Sequence, residues 1–348
     1  MMNSRLTNVL IPVISVLFGL IAGAIIMLVF DYNPIKGYTA LWNGAFGDSY
    51  WLGETLRQVT PYILSGLAVA FAFRTGLFNI GVEGQVFVGW VASVWVGTAI
   101  NAPSFIHVPL AILAAVIAGG LWGFVPGFLK ARFGVHEVIV SIMMNYIALH
   151  ISNEMIRSVL TDNQDKTEKI AETASLRAQW LIDLTDHSRL HMGIFVALIA
   201  AGIMWFLLEK TKTGYELRSV GFNQHASNYA GMNVKRNIIL AMVISGAFAG
   251  VAGAMEGLGT FEYMSIKSGF TNIGFDGIAV ALLGGSTAIG VVLSALLFGV
   301  LKQGALNMPM GAGVPSELVE IVIALIIFFV ASSYIIRWYL LKFKKEGK

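Results

Sequence analysis

The sequence predicts an all-α polytopic integral membrane protein with about ten transmembrane helices. Of its 348 residues, 56% are hydrophobic and only 12% are charged, which leaves too few polar residues to cover the surface of a soluble protein. The apolar residues fall into runs of about 20, the length that an α-helix needs to cross a bilayer. We expect the whole chain, residues 1–348, to form a single transmembrane domain.

The first apolar run, residues 9–30, is interpreted as a retained span because it is longer than the core of a signal peptide. The segment that follows, residues 31–54, carries three acids and one lysine and is predicted to be an external loop. Within it, Tyr38, Trp42 and Phe46 recur every four residues. This spacing favours a short helix in the membrane interface, but a plain loop fits equally well.

The remaining spans follow from the same pattern. They are residues 55–73, a third span that ends at residue 100, and residues 105–129, 138–159, 190–208, 237–260, 270–306 and 318–336. Glycines 119, 123 and 127 place small residues on one face of the fourth span, which indicates a close helix contact.

The basic tail, residues 337–348, is expected in the cytoplasm together with the N-terminus, since basic residues collect on that side. An even number of crossings follows, so the run 270–306 must be split at 284–287 into residues 273–283 and 286–306. A helix of 11 residues is only about 16 Å long. Residues 273–283 are therefore predicted to be a broken or re-entrant segment, covered by protein or facing a cavity.

Two polar loops separate the central spans. Residues 161–190 hold six acids and four bases and are predicted to be an external loop, whereas residues 209–236 hold five bases and two acids and are predicted to be cytoplasmic. In the second loop, Asn223 is a good N-cap and Gly231 a good residue to follow a helix, which predicts a helix over 224–230. So short a helix is ordered only by packing on something else.

The most unusual stretch is residues 74–85, at the start of the third span. Glycines 76, 81 and 84 weaken helix continuity, and Glu83 would be costly if it faced lipid. This predicts a discontinuous helix that lines a pathway. The alternative is a tight helix crossing in which a neighbour holds Glu83, and the two interpretations are not exclusive.

Common signs of enzymatic chemistry are absent from the sequence. It contains no phosphate-binding G-x-x-x-x-G-K-[ST] motif and neither H-E-x-x-H nor G-x-S-x-G, and its six histidines show no ligand spacing. With no cysteine, disulfides and thiolate metal sites are excluded. We expect no enzymatic activity, no cofactor in this chain and no binding of nucleic acid.

Three segments carry a resemblance to a known family. They are PYILSGLAVAFAFRTGLFNIGVEGQ at 61–85, HEVIVSIMMNYI at 136–147 and GFDGIAVALLGG at 274–285. These segments resemble the permease subunits of ATP-binding-cassette importers for nucleosides, within the branched-chain amino acid and ribose type of permease, and the resemblance extends over nearly the whole chain.

The resemblance implies a permease subunit in the bacterial cytoplasmic membrane that imports nucleosides by alternating access. It implies four kinds of partner: an ATPase that carries ATP and Mg, a second homologous permease that completes a heterodimer, a substrate-binding lipoprotein, and membrane lipid. A simple sugar such as ribose is the alternative substrate. An ion-coupled secondary transporter is the competing function, although charged residues near mid-membrane are few.

Candidate site residues fall into two sets. The substrate pathway is expected to include Phe78, Asn79, Glu83, Gln85, Asn145 and Asp276. Their polar groups would contact hydroxyls or base edges and Phe78 would stack on a base, although Asn145 also fits a hydrogen bond to a neighbouring helix.

The second set is expected to dock the ATPase, because the resemblance implies that residues 217–232 contain the coupling helix. It comprises Arg218, Gly221, Asn223, Gln224, Ala226, Tyr229 and Gly231. The pair Ala226–Ser227 departs from the paired alanine of the family.

Overall fold

The computed structural model describes residues 4–332, so the predicted tail at 337–348 and the end of the last span lie outside the described residues. Fifteen α-helices and no β-strand occur in this described range. The helices are α1 (Ser4–Val29), α2 (Pro34–Phe46), α3 (Ser49–Arg74), α4 (Val82–Ala99), α5 (Ser104–Phe133), α6 (Glu137–Met155), α7 (Gln179–Leu184), α8 (Gly193–Lys210), α9 (Lys212–Phe222), α10 (Gln224–Tyr229), α11 (Val234–Met255), α12 (Ile273–Leu283), α13 (Ala288–Ala305), α14 (Met308–Ala312) and α15 (Ser316–Ala331).

The lengths and composition of these helices match those of a membrane protein. Among the described residues, five helical stretches are long and apolar enough to cross a bilayer, namely α3, α5, α8, α11 with its extension to Thr260, and α13. The extension of α11 is a π-helical turn, Glu256–Thr260. The predicted all-α polytopic class is confirmed.

One compact unit consists of Met1–Thr55 and Leu297–Lys348. In its described part, α1 packs along α15 and α2 packs on α14. The side chain of Asn33 accepts hydrogen bonds from the first turn of α2, and Pro34 begins that helix, an arrangement typical of helix starts. The segment with Trp42 and Phe46, whose rings lie 4.7 Å apart, is therefore a helix rather than a plain loop.

The second unit, Leu56–Leu296, has α4, α5 and α11 at its centre. Glycines let α5 and α11 touch backbone to backbone: a Cβ on Gly119 would lie 2.2 Å from the carbonyl oxygen of Gly246, and a Cβ on Gly250 would lie 2.1 Å from that of Ala115. The predicted small-residue face of the fourth span is thus a helix contact.

Two non-helical stretches interrupt the helices of this unit. Residues 75–81 separate α3 from α4, and residues 261–272 separate the end of α11 from α12. The helix α12 has the bounds that the sequence predicted, and a turn with positive φ at Gly285 and Ser286 separates it from α13. The predicted short segment and the position of its split are confirmed.

The predicted helix over 224–230 is confirmed as α10, one residue shorter. Asn223 caps it, since its side-chain oxygen accepts a hydrogen bond from the backbone N–H of Ala226 at 2.9 Å. Gly231 follows with a φ of +81°, which a residue with a side chain adopts only at a cost. The 161–190 segment contains a 3-10 turn at Glu172–Ala174 and the helix α7.

Candidate functional site

The two helices that follow the non-helical stretches, α4 and α12, meet at Glu83 in the first turn of α4. Its Oε1 accepts hydrogen bonds from the backbone N–H of Thr271 (2.7 Å), the hydroxyl of Thr271 (2.7 Å) and the N–H of Asn272 (2.9 Å). Its Oε2 accepts one from the N–H of Gly274 at 2.6 Å. The carboxylate therefore satisfies N–H groups at the start of α12 that have no partner within the helix, where a negative charge is also favoured.

This arrangement, the Glu83 junction (Glu83, Thr271, Asn272 and Gly274), depends on close backbone approach. A Cβ on Gly274 would lie 2.3 Å from the backbone nitrogen of Glu83, so only glycine fits. Near the C-terminal end of α4, Gly97 lies against Ile170. Beyond the C-terminal end of α12, Ser286 lines a cavity together with Arg74 and Glu209.

The non-helical residues 75–81 are held by a buried amide cluster. The Asn79 Nδ2 donates to Gln85 Oε1 at 2.9 Å and to the Ser245 hydroxyl at 2.8 Å. That hydroxyl donates in turn to the carbonyl oxygen of Ala68 at 2.6 Å. The cluster thus joins residues 75–81 to α3, α4 and α11.

Asn145 of α6 holds the same region from another side. Its Oδ1 accepts from the N–H of Gly84 at 2.8 Å, and its Nδ2 donates to the carbonyl oxygen of Ile80 at 3.0 Å. Of the two interpretations given for Asn145, hydrogen bonding to a neighbouring element is what the structure contains. A direct contact with substrate stays a prediction.

The structure therefore brings four of the six predicted pathway residues together. Asn79, Glu83, Gln85 and Asn145 are all buried and hydrogen-bonded within the chain around the Glu83 junction. The side chains of the other two have different partners. Phe78 stacks on Phe73, with ring centroids 4.9 Å apart, and Asp276 accepts a hydrogen bond from the Tyr62 hydroxyl at 3.2 Å.

Side chains from three elements fasten the second non-helical stretch, residues 261–272. The Trp90 indole N–H donates to the carbonyl oxygen of Tyr263 at 3.1 Å, and Thr167 exchanges two hydrogen bonds with the backbone of Met264. Asn153 clamps Lys267 by donating to its carbonyl oxygen at 2.8 Å and accepting from its N–H at 3.0 Å. Irregular backbone at membrane depth needs partners of this kind.

Sequence reasoning missed a charged and aromatic cluster beside this stretch. Glu256 is buried in the π-helical turn, and the positive charges that act on it belong to Arg57, Lys267 and Arg189. The Lys267 ammonium lies 5.3 Å from the centre of the Trp90 ring and 5.4 Å from that of Phe261. One signal was available: Lys267 is the only lysine or arginine between Arg236 and Lys302.

A further contact set joins α9 to the first non-helical stretch. Glu209 bridges two arginines, with Oε1 2.5 Å from Arg74 and Oε2 2.8 Å from Arg218. Beside it, a Cβ on Gly76 would lie 2.6 Å from the Cα of Gly221, so the two backbones touch. We call these five residues the α9 link.

The predicted coupling residues divide accordingly. Arg218 and Gly221 face the end of α3 through the α9 link. The others are exposed on and around α10; they are Asn223, Gln224, Ala226, Tyr229 and Gly231. A cavity of about 630 Å³ lies beside α10, between Lys130, Gln224 and Lys235.

Transport permeases resemble this chain along most or all of its length. It is 68% identical over 346 residues to the guanosine ABC transporter permease protein NupP of Bacillus subtilis, which covers 99% of both chains. It is 44% identical over 350 residues to the nucleoside ABC transporter permease protein NupB of Lactococcus lactis, which covers 99% of this chain and 96% of NupB. A second guanosine ABC transporter permease protein of B. subtilis, NupQ, is 29% identical over 252 residues, or 70% of this chain and 78% of NupQ.

The family described as the permease component of the branched-chain amino acid transport system matches residues 52–331. The matched range includes both non-helical stretches, the Glu83 junction and the α9 link. The chain belongs to this family of transport permeases.

Proposed function

We propose that this chain is one permease subunit of an ATP-binding-cassette importer that carries nucleosides into the cell by alternating access. The observation that carries the proposal is its 68% identity, over 99% of both chains, to a permease named for guanosine. The 44% identity to a permease named for nucleosides supports the same substrate class.

The partner ATPase docks on α10 in this proposal. A six-residue helix is marginal unless something packs on it, and Tyr229 on this helix is 96% exposed in the chain alone. The cavity beside α10 offers a partner polar groups from Gln224, Asn228 and Lys235. The ATP and Mg are carried by that ATPase and not by this chain.

A second permease and a substrate-binding lipoprotein complete the proposed importer. Two permeases of B. subtilis that resemble this chain, NupP and NupQ, both have names that refer to guanosine transport, which supports a heterodimer. The α9 and α10 end of the chain faces the cytoplasm in this arrangement, as do both termini, and the 161–190 segment faces outward.

The contacts within the chain offer a route from the ATPase to the centre of the permease. Movement of α10 displaces α9, and the α9 link passes that displacement to residues 75–81, because no side chain lies between Gly76 and Gly221 to absorb it. These residues lead directly into α4. The Glu83 junction then joins α4 to α12, so both of these helices respond to one displacement.

The test is purification of the tagged chain from its native membrane in mild detergent, followed by uptake of labelled guanosine. We expect an ATPase, a second permease and a lipoprotein to co-purify, and uptake to stop when the phosphate-binding lysine of the ATPase is replaced. Unlabelled ribose should not compete. Uptake that survives loss of every ATPase partner and stops when the ion gradient collapses would refute the proposal in favour of an ion-coupled transporter.

A further inference from the structure

The Lys267 ammonium lies against two aromatic rings. It lies over the faces of Trp90 and Phe261, which are stacked on each other with centroids 5.3 Å apart and ring planes 20° apart. In residues 4–332 this ammonium makes neither a hydrogen bond nor an ion pair within 4 Å, although Glu256 acts on it from a greater distance. Its three N–H donors are therefore open to an acceptor from outside the described chain.

This position is fixed by the fold. The two hydrogen bonds from Asn153 clamp the backbone of Lys267 on both its N–H and its carbonyl oxygen. The Trp90 indole is held by its own hydrogen bond to the carbonyl oxygen of Tyr263, and its ring is buried. The ammonium and the ring behind it are thus presented as a preformed pair.

A cavity beside the 161–190 segment reaches this cluster at Phe261. A cavity of about 470 Å³ lies between residues 164–169, Arg177 and residues 261–263, a volume in the range that small ligands occupy. At its wall Glu262 is held by Lys169 at 3.0 Å and Arg177 at 3.2 Å. Phe261 belongs to the cavity and to the aromatic stack, so it connects the two.

The chemistry of this site fits a flat aromatic ligand with hydrogen-bond acceptors on its edge. Aromatic side chains stack on nucleobases, and an ammonium donates well to O6 and N7 of guanine. Adenine carries a donor amino group where guanine carries O6, so a lysine at this position discriminates between them.

We propose that Lys267 and Phe261, backed by Trp90, form a contact site for the base of a 6-oxopurine nucleoside on its way through the permease. This inference rests on the proposed nucleoside function and names the residues that select the base. The Phe261 ring supplies the stacking face, and Lys267 donates to the acceptor edge.

The test compares uptake of guanosine and adenosine by the complete importer in membrane vesicles. The ratio of the two uptake rates is measured for the wild type and for Lys267→Met, with the same lipoprotein, so that selection by the lipoprotein cancels. We expect Lys267→Met to lower the guanosine-to-adenosine ratio by about tenfold or more, while Phe261→Leu lowers uptake of both nucleosides. Lys36→Met, which removes an exposed lysine of α2 that does not line the cavity, should leave the ratio unchanged.

A purely structural role for Lys267 would lower both uptake rates equally, and that result would overturn the inference, as would an unchanged ratio. If Lys267→Met does not reach the membrane, Lys267→Gln replaces it: the amide keeps a donor, and we expect a fall in the ratio of about threefold. An unchanged ratio in that variant would also overturn the inference. Failure of the wild type to import any nucleoside would refute the proposed function instead, so the two failures are distinguishable.

Discussion

Replacement of Glu83 by glutamine tests whether this residue joins α4 to α12 or binds substrate. The glutamine has nearly the shape of glutamate, but it offers one acceptor oxygen and one amino group in place of two acceptor oxygens. If its oxygen keeps the three hydrogen bonds from Thr271 and Asn272, its amino group faces the N–H of Gly274, which now lies 2.6 Å from Oε2. Two donors then point at each other.

The size of the effect follows from these contacts. One charge-assisted hydrogen bond is lost and a buried N–H is left without an acceptor, while the other three bonds change from a charged to a neutral acceptor. A hydrogen bond to a charged group contributes about 1.5–3 kcal/mol, and the lower cost of burying a neutral amide offsets part of the total. We expect Glu83→Gln to destabilise the permease by about 3 kcal/mol.

The assay is thermal unfolding of the detergent-solubilised importer, together with uptake of several nucleosides. We expect the melting temperature to fall by about 5 °C or more, and uptake of guanosine, adenosine and uridine to fall in parallel. Glu172→Gln, a change at an exposed carboxylate, serves as the control and should alter neither. Unchanged stability with selective loss of one nucleoside would refute the junction role and place Glu83 in the substrate pathway.

Three further predictions concern the connection to the ATPase. Glu209→Gln removes ion pairs that are partly exposed and so contribute little to stability. ATP hydrolysis by the importer should continue while uptake per ATP falls severalfold. Unchanged uptake per ATP in this variant would contradict the role of the α9 link. Gly221→Ala places a Cβ 2.6 Å from the Thr75 carbonyl carbon, so uptake should fall about tenfold or more at equal expression. The control Gly202→Ala, whose Cβ would have nothing within 4 Å, should leave uptake unchanged. Tyr229→Ala should reduce recovery of the ATPase in pull-downs without lowering the melting temperature of the permease, and full recovery would argue against docking on α10.

The sequence was a good guide to local features of the fold. Composition and the length of the apolar runs predicted the helical membrane class. The need for an even number of membrane crossings led to the division of the run 270–306 and so to the bounds of α12. The Asn223 cap and Gly231 predicted α10. These features depend on residues close together in the chain, and their physical signals are periodicity, capping and turn propensity.

The candidate site was predicted only in part. Glu83 was recognised as an unusual carboxylate, but its partners at 271–274 could not be, because no periodic pattern records a contact between residues so far apart in the chain. Lys267 was missed for a related reason: its position over Trp90 exists only after the 261–272 stretch folds back beside α4. A lone lysine in a long region without other basic residues was the one available sign.

The Glu83 junction also has a consequence for how such permeases diverge. Three backbone N–H groups and a hydroxyl depend on one carboxylate, and the carboxylate depends on a glycine at 274 for room. A substitution at either place leaves the other without its partner. Position 83 and positions 271–274, nearly two hundred residues apart in the chain, are therefore physically interdependent, and we expect a replacement at position 83 to be tolerated only together with a change at 271–274.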